Sequence, residues 1–281
     1  MEKSIDNLFT FCFFYKFDNE ERRENLKGVL EFYSKNFTDS NFSIVIEDHD
    51  DISKDLSILD TYNLNIIIHK KQEKDLWNKS NAYNSCIKTA ETDILIFNDV
   101  DVIVSPDQIR EAGKFLCKNE NVGLIYPYDG RFLCVDKDLK KLFISKHDLY
   151  ILEKYEPKTS NINDSTEHVF VGHNNSPGGI VMGRKDNLVK AGGYNTDFCG
   201  WGYEDSEILS RMKILGFKCG RVMTGPCWHL DHSTNDSSKK EHQPFYERNR
   251  LVCSHIESLN SSQLWDYCKN KNWLYYDSSK S

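Results

Sequence analysis

The chain has no run of about 18 apolar residues, the length a helix needs to cross a bilayer. Its opening, Met1-Glu2-Lys3-Ser4-Ile5-Asp6-Asn7, has no signal-peptide apolar core. Leu8–Phe14 is apolar but too short for a leader and reads as a first strand. A cytoplasmic location is therefore expected. No Cys-x-x-Cys pair occurs among the nine cysteines, and their spacings match no zinc template. An odd number of thiols, several in apolar or glycine-rich surroundings (Cys12, Cys86, Cys219), reads as buried free thiols in a reducing compartment. There is no basic block: 36 Lys and Arg are interspersed with 43 Asp and Glu, giving a net charge of −7. That balance argues against a dedicated nucleic-acid binder. Internal repeats and low-complexity tracts are also missing. What remains, 28% charged and 39% hydrophobic residues in 281, is ordinary for a soluble globular protein and suits one large α/β domain with a C-terminal extension.

Strands and helices alternate along the first half. Leu8–Tyr15, Phe42–Ile46, Asn65–His69 and Asp93–Phe97 read as strands, and Glu20–Phe37, Asn78–Thr89 and Pro106–Cys117 as helices, the last with proline at its start. This order predicts a mostly parallel central sheet flanked by helices, with right-handed crossovers. Beyond Val122 the pattern changes. Val122–Tyr126 and Phe132–Val135 read as strands, with an antiparallel arrangement open, and Gly178–Gly183 as a strand opened by glycines. Asp205–Leu215 reads as a helix capped by Gly216. Residues 156–168 are polar and aperiodic and read as a mobile loop, a candidate lid. The expected division is a catalytic domain over 1–244 and a helical, amphipathic extension over 245–281, packed on the domain and ending in a disordered tail. The aromatic stretch Trp265–Tyr276, with its lysines, leaves peripheral membrane contact open beside the simpler reading of a packed terminal helix.

Three constellations carry chemistry. In Asp93-Ile-Leu-Ile-Phe-Asn-Asp-Val-Asp101, two carboxylates, Asp99 and Asp101, stand at the carboxyl end of a buried strand. Ligands bind there in open α/β sheets, and paired acids favour a hard divalent cation with a phosphate ligand. In Phe198-Cys-Gly-Trp-Gly-Tyr-Glu-Asp-Ser-Glu207, glycines flank Trp201 and allow a sharp turn that exposes the indole, a face on which a sugar ring stacks. Glu204 and Asp205 then open a helix, where acids also serve as simple capping. In Cys227-Trp-His-Leu-Asp-His-Ser233, His229 and His232 are three residues apart and would face one way on a helical or turn-like segment. Asp101 with both histidines gives mixed N/O ligation suited to Mn²⁺, completed by diphosphate oxygens and water.

Taken in order, Asn19-Glu-Glu-Arg-Arg-Glu-Asn-Leu26, Trp77-Asn-Lys-Ser-Asn-Ala-Tyr-Asn84, Phe97-Asn-Asp-Val-Asp101, Pro177-Gly-Gly-Ile-Val-Met182, Gly-Trp-Gly-Tyr-Glu-Asp205 and His-Leu-Asp-His-Ser233 resemble the GT-A glycosyltransferases. Within them the motifs are most similar to the β-1,4-galactosyltransferases and to bacterial chondroitin-synthase-type family 2 enzymes. The resemblance spans roughly residues 8 to 250. It implies a GT-A fold, a UDP-sugar donor, Mn²⁺ with Mg²⁺ as the alternative ion, and an oligosaccharide or glycoconjugate acceptor. It implies roles in turn: Asp48 on the uracil or ribose side of the nucleotide, Arg22 or Arg23 on the nucleotide, and Lys79 near the diphosphate. Asp99 and Asp101 match the metal motif, with Asp101 the direct ligand, and His232 matches the metal-binding histidine. His229 falls at a second ligand position that is methionine in some relatives. Gly178 and Gly179 match glycines near the donor sugar, Trp201 an aromatic acceptor platform, and Asp205 the catalytic base. Glu204 would orient a sugar. Tyr203 departs from the pattern, standing where the family usually has glycine, and would reshape the acceptor pocket.

The implied reaction is a metal-assisted displacement with inversion at the anomeric carbon, favouring galactose or N-acetylgalactosamine. Three other readings stand beside it. A retaining enzyme similar to the polypeptide N-acetylgalactosaminyltransferases also carries a Trp-Gly and a glutamate in this region, but Asp205 favours inversion. A metal-dependent phosphohydrolase gives no reason for Trp201 between glycines. A non-catalytic carbohydrate-binding protein gives none for the intact set Asp99, Asp101, Asp205 and His232.

Overall fold

The computed structural model describes residues 4–16, 19–47, 65–69, 78–158, 165–200, 202–233 and 236–275. Strand β1, Phe9–Tyr15, is buried at all seven positions, as a central strand covered on both faces must be. It pairs in parallel with β2 (Asn41–Glu47) on one side and β4 (Ile94–Asn98) on the other, and β2 pairs in parallel with β3 (Asn65–His69). Helix α1 (Glu20–Asn36) starts where Asn19 Oδ1 accepts the Arg22 N–H at 2.9 Å, and α2 (Lys79–Thr89) where Asn78 Oδ1 accepts that of Asn81. Both are asparagine N-caps. Helix α3 (Pro106–Lys118) follows β5 (Val102–Ile103), and β6 (Val122–Tyr126) follows α3.

The first sheet has seven strands in the order β10-β6-β9-β4-β1-β2-β3, with β9 (Ile180–Arg184) antiparallel between β4 and β6, and β10 (Lys218–Arg221) parallel to β6 at the edge. A second sheet of four strands runs β5-β11-β7-β8, with β7 at Arg131–Val135, β8 at Val169–Asn174 and β11 at Cys227–Leu230. The mostly parallel central sheet expected from the alternation is present. The two strands read after Val122 are also present, but they do not pair: β6 and β7 lie in different sheets. Pro127 ends β6, and Gly130, at φ 104°, turns the chain away. Strands β5, β8, β10 and β11 and helices α4 (Lys137–Lys146), α5 (Tyr150–Glu153) and α6 (Lys185–Lys190) are additions to the sequence reading.

Helix α7 spans Glu204–Ile214. It is fixed from below by Arg211, fully buried, which pairs with Glu207 at 2.7 Å and donates to the carbonyls of Ala191 and Gly193. The C-terminal part folds as two helices, α8 (Asp236–Ser258) and α9 (Ser261–Lys271), separated by a capping box between Asn260 and Gln263. Ile256, Leu264, Trp273 and Leu274 join the same core as the sheet. The Trp273 ring stacks on the Arg211 guanidinium at 4.8 Å. Of the polar loop 156–168, Glu156 pairs with Arg131 at 2.5 Å and Ser165 bridges to Phe170, while 159–164, the middle of the candidate lid, lie outside the described residues. The expected disordered tail, Asp277–Ser281, also lies outside them.

Candidate active site

The two sheets meet at the Asp-Val-Asp turn. Strand β4 ends at Asn98, and β5 begins at Val102 in the other sheet, so Asp99 and Asp101 occupy the junction. Fully buried Asn98 holds the turn closed, its Nδ2 donating to the carbonyls of Asp99 at 2.7 Å and Val102 at 3.0 Å. The two acids then face different partners.

Asp101 is 3% exposed. Its Oδ2 lies 3.2 Å from His232 Nε2 and 3.6 Å from Arg22 Nη2, and its Oδ1 lies 3.7 Å from His229 Nε2. One ligand atom from each of Asp101, His229 and His232 lies within 4.8 Å of the others, so the three form a candidate cation site. Burial alone would raise the Asp101 carboxyl, but His229, Arg22 and His232 outweigh it and hold the group well below the usual carboxylate range. Of the helical and turn-like segments their spacing allowed, the histidines sit on no helix but on a strand and the turn after it. His229 is on β11, paired with Val102, and His232 follows the strand's end. The segment is drawn in by the start of α1: buried Asn25 donates to the carbonyls of Leu230 and Asp231, both at 3.3 Å, and Glu21 accepts the Ser233 N–H at 2.7 Å. Lys137, followed by Ser233, holds the Glu21 carboxyl down at about 2.

Asp99 does not join that trio. Its Oδ1 lies 3.0 Å from Lys79 Nζ and accepts from the Tyr83 hydroxyl at 3.4 Å. Lys79 also reaches Asp205 Oδ2 at 3.4 Å, so one ammonium joins the strand-end acid to the first turn of α7. Burial disfavours the Lys79 charge, but Asp205 and Asp99 more than offset it and hold its pKa well above normal. Burial pushes the Asp205 carboxyl up to about 7, against the pull of Lys79 and aided by Glu204 and Asp99. Gly178 lies so close that a β-carbon there would stand 3.0 Å from Asp205 Oδ2, and Gly179, at φ 88°, gives its carbonyl to the Asp99 N–H at 2.8 Å. Lys79, Tyr83, Phe97, Pro177, Gly179 and Asp205 line one crevice.

The structure separates Arg22 from Arg23: Arg22 faces Asp101, whereas Arg23 pairs with Glu20 on its own helix at 2.6 Å. Glu204 is 9% exposed and one of its oxygens accepts the Gly202 N–H at 3.0 Å, in the turn before the helix and not as a cap of its first turn. Tyr203 has φ 71°, the left-handed conformation that glycine adopts freely, and its ring packs on Tyr246 at 5.1 Å. Asp48 and Trp201 lie outside the described residues. Sequence reasoning missed Tyr83, Tyr128, Arg221, Asn25 and Glu21, residue types too common to stand out without their partners.

A parallel sheet with an antiparallel strand beside it, an acidic turn at the strand end and a helix carrying acids across from it define the GT-A glycosyltransferase fold. The chain belongs to the family described as glycosyltransferase like family 2, whose profile matches residues 15–227, and it is a glycosyltransferase. It is similar in structure to the mannosyltransferase PcManGT of Pyrobaculum calidifontis in complex with GDP-Man and Mn²⁺, with a TM-score of 0.57 at 14% identity over 95% of this chain and 69% of that one. It is also similar to TarS of S. aureus in complex with UDP-GlcNAc, with a TM-score of 0.55 at 13% identity over 95% and 73%. The Drosophila β-1,4-galactosyltransferase 7 catalytic domain with xylobiose matches with a TM-score of 0.44 at 14% identity over 83% and 77%.

No helix among the described residues is long and apolar enough to cross a membrane.

Proposed function

We propose that the chain is an inverting, Mn²⁺-dependent glycosyltransferase that moves a hexose or N-acetylhexosamine, with galactose or N-acetylgalactosamine favoured, from a UDP-sugar to a hydroxyl of an oligosaccharide or glycoconjugate. The observation that carries this reading is the meeting, at one strand end, of a cation trio (Asp101, His229, His232) with a bridged pair of acids (Asp99–Lys79–Asp205). The trio fits a divalent ion by its donors, one carboxylate oxygen and two imidazole nitrogens, which suit Mn²⁺ and leave positions for a diphosphate. An ion held there supplies Lewis-acid neutralisation of charge on the departing nucleotide. Arg22, beside Asp101, is placed to meet the nucleotide phosphates, and Lys79 offers them a second cation. Asp205, with a carboxyl near neutrality, accepts the proton of the attacking hydroxyl. Glu204 orients the sugar with its remaining oxygen, and Gly178 and Gly179 let the donor approach the backbone. Tyr203 shapes the acceptor pocket. Asp48 at the nucleoside and Trp201 under the acceptor complete the assignment from the motif order alone. The UDP and galactose preferences rest on the same motif order. The catalytic unit is assigned to 1–244, with 245–281 packed on it, and action in the cytoplasm is part of the proposal.

A panel of nucleotide sugars, with Mn²⁺ or with EDTA, tests it directly. Metal-dependent UDP release from one donor, accelerated by an acceptor and giving a product of inverted anomeric configuration, is expected. GDP release instead would overturn the donor assignment, a retained anomer the inversion, and phosphate release without any acceptor the transferase reading itself. A second expectation concerns the anchor of the histidine segment. Partners that orient metal ligands typically contribute 10–100-fold in affinity, so Asn25→Ala should weaken Mn²⁺ binding by about tenfold. A Mn²⁺ titration of the folded variant with unchanged affinity would show that the segment is held without Asn25.

A further inference from the structure

Four residues, Ser176 to Gly179, run between the two acids of the crevice, and their backbone is fastened at both ends. At one end the Gly179 carbonyl accepts the Asp99 N–H at 2.8 Å. At the other, Tyr128, fully buried, points its hydroxyl at two carbonyls, Ser176 at 2.6 Å and Gly178 at 2.9 Å. Arg221, from edge strand β10, donates Nη2 to the same Ser176 carbonyl at 2.6 Å. The guanidinium packs over the rings of Tyr126 at 4.6 Å and Tyr128 at 4.9 Å, and no carboxylate is paired with it in the described ion pairs. Arg221 is half-buried, with its Nη1 buried and without a hydrogen-bond partner, and a covered guanidinium nitrogen with no acceptor is a costly way to close an ordinary turn. What the turn carries explains the arrangement: Gly178 sits against Asp205, where a β-carbon would already stand 3.0 Å from the carboxylate oxygen.

The geometry points to Tyr128 and Arg221 as positioning residues that set the place of Asp205 relative to the acidic turn, acting through the Ser176–Gly179 backbone. The inference rests on the assignment of Asp205 as the base. Each carbonyl the two residues hold keeps Gly178 against Asp205 Oδ2, the same oxygen that Lys79 approaches at 3.4 Å while it also meets Asp99. The base is thereby held at Oδ2 between Gly178 and Lys79, and the crevice side is where the acceptor hydroxyl would approach. Misplacement of a catalytic group by about 1 Å lowers rates on the order of 10²-fold, so even a slight relaxation of the turn should be visible in turnover.

The test is a double-mutant cycle in the 281-residue chain. Tyr128→Phe keeps the ring and the stack and removes only the hydroxyl; Arg221→Lys keeps charge but loses the planar fork. Each is expected to lower kcat for transfer by about 10-fold to 100-fold, with KM for the donor and Mn²⁺-dependent UDP binding unchanged. In an Asp205→Asn background the same changes should lower the residual rate less than threefold, because a misplaced base matters only when there is a base. Equal losses in both backgrounds, or losses that fall on donor binding in proportion to a lower melting temperature, would mean that the two residues merely support the fold. Full activity of folded Tyr128→Phe and Arg221→Lys, with Asp205→Asn inactive, would overturn the clamp and leave the base assignment standing. Full activity of Asp205→Asn would remove the base assignment and the clamp with it.

Discussion

Asp205→Asn is expected to lower transfer by on the order of 10²–10⁴-fold, the usual contribution of a positioned general base, while UDP and Mn²⁺ binding persist. The expectation follows from placement: the carboxylate opens α7 across the crevice from the acidic turn, with Lys79 at 3.4 Å. Burial raises its carboxyl to about 7. A base must be deprotonated to act, so kcat/KM should climb as pH rises toward 7 and level off above it. The variant should lack this limb. The same shift makes a second, independent expectation about stability. The folded state holds the Asp205 proton up to about pH 7, whereas the unfolded chain releases it near the ordinary value of 3.8. Between those values the folded form binds more protons, so the favourable contribution present at low pH is lost as pH rises through the folded value. Asparagine carries no such loss. The melting temperature of Asp205→Asn, relative to the parent, should therefore increase from pH 5 to pH 8 even as activity disappears. A flat difference across that range would show that the carboxyl is not held near neutrality. Retained transfer at the parental rate would remove Asp205 from the chemistry.

The parts of this site that could be read in advance are those written in short stretches of chain. Ile94–Phe97 is apolar without interruption because β4 is buried on both faces, and the acids that follow fall at its carboxyl end by chain order alone. The acids opening α7 are equally local. Other features depend on rotation or on distant pairing. Successive helical residues point about 100° apart, so nothing short of the helix's orientation decides between Arg22 and Arg23. The histidine pair converges because β11 is laid against β5, which aligns His229 with Val102, and because Asn25 and Glu21 pull the following turn inward. The spacing of three allowed a helix or a turn, and the fold uses a strand end and the turn after it. The departure at Tyr203 was visible as a residue, but its φ of 71° and its packing on Tyr246 required the fold. Tyr128 and Arg221 are separated by most of a hundred residues, and the shared Ser176 carbonyl and the guanidinium laid on the Tyr128 ring make them a unit only in the fold.

Asp101→Asn is the substitution that separates ion binding from everything else at this strand end. Asparagine keeps the shape and removes the charge on which His229, His232 and Arg22 converge. In the parent, a ligand that binds only the folded protein stabilises it by about 2.7 kcal/mol at a hundredfold excess over its Kd, so saturating Mn²⁺ should raise the melting temperature by several degrees and EDTA should reverse the gain. In Asp101→Asn the shift should vanish, and transfer should fall at least about 100-fold, as expected when a ligand to a Lewis-acidic ion is lost. The pH dependence has a defined direction. Burial lowers the His232 pKa, but its hydrogen bond to Asp101 and the charge of that carboxylate prevail and raise it above the ordinary imidazole value. An imidazole must give up its proton to ligate. Mn²⁺ affinity should therefore weaken as pH falls into the range where His232 is protonated. His232→Ala should lose most of the affinity along with that pH dependence. If Asp101→Asn keeps a metal-induced rise in melting temperature equal to the parent's, the ion is held elsewhere, and the trio is an ion-paired support for the β4–β5 turn.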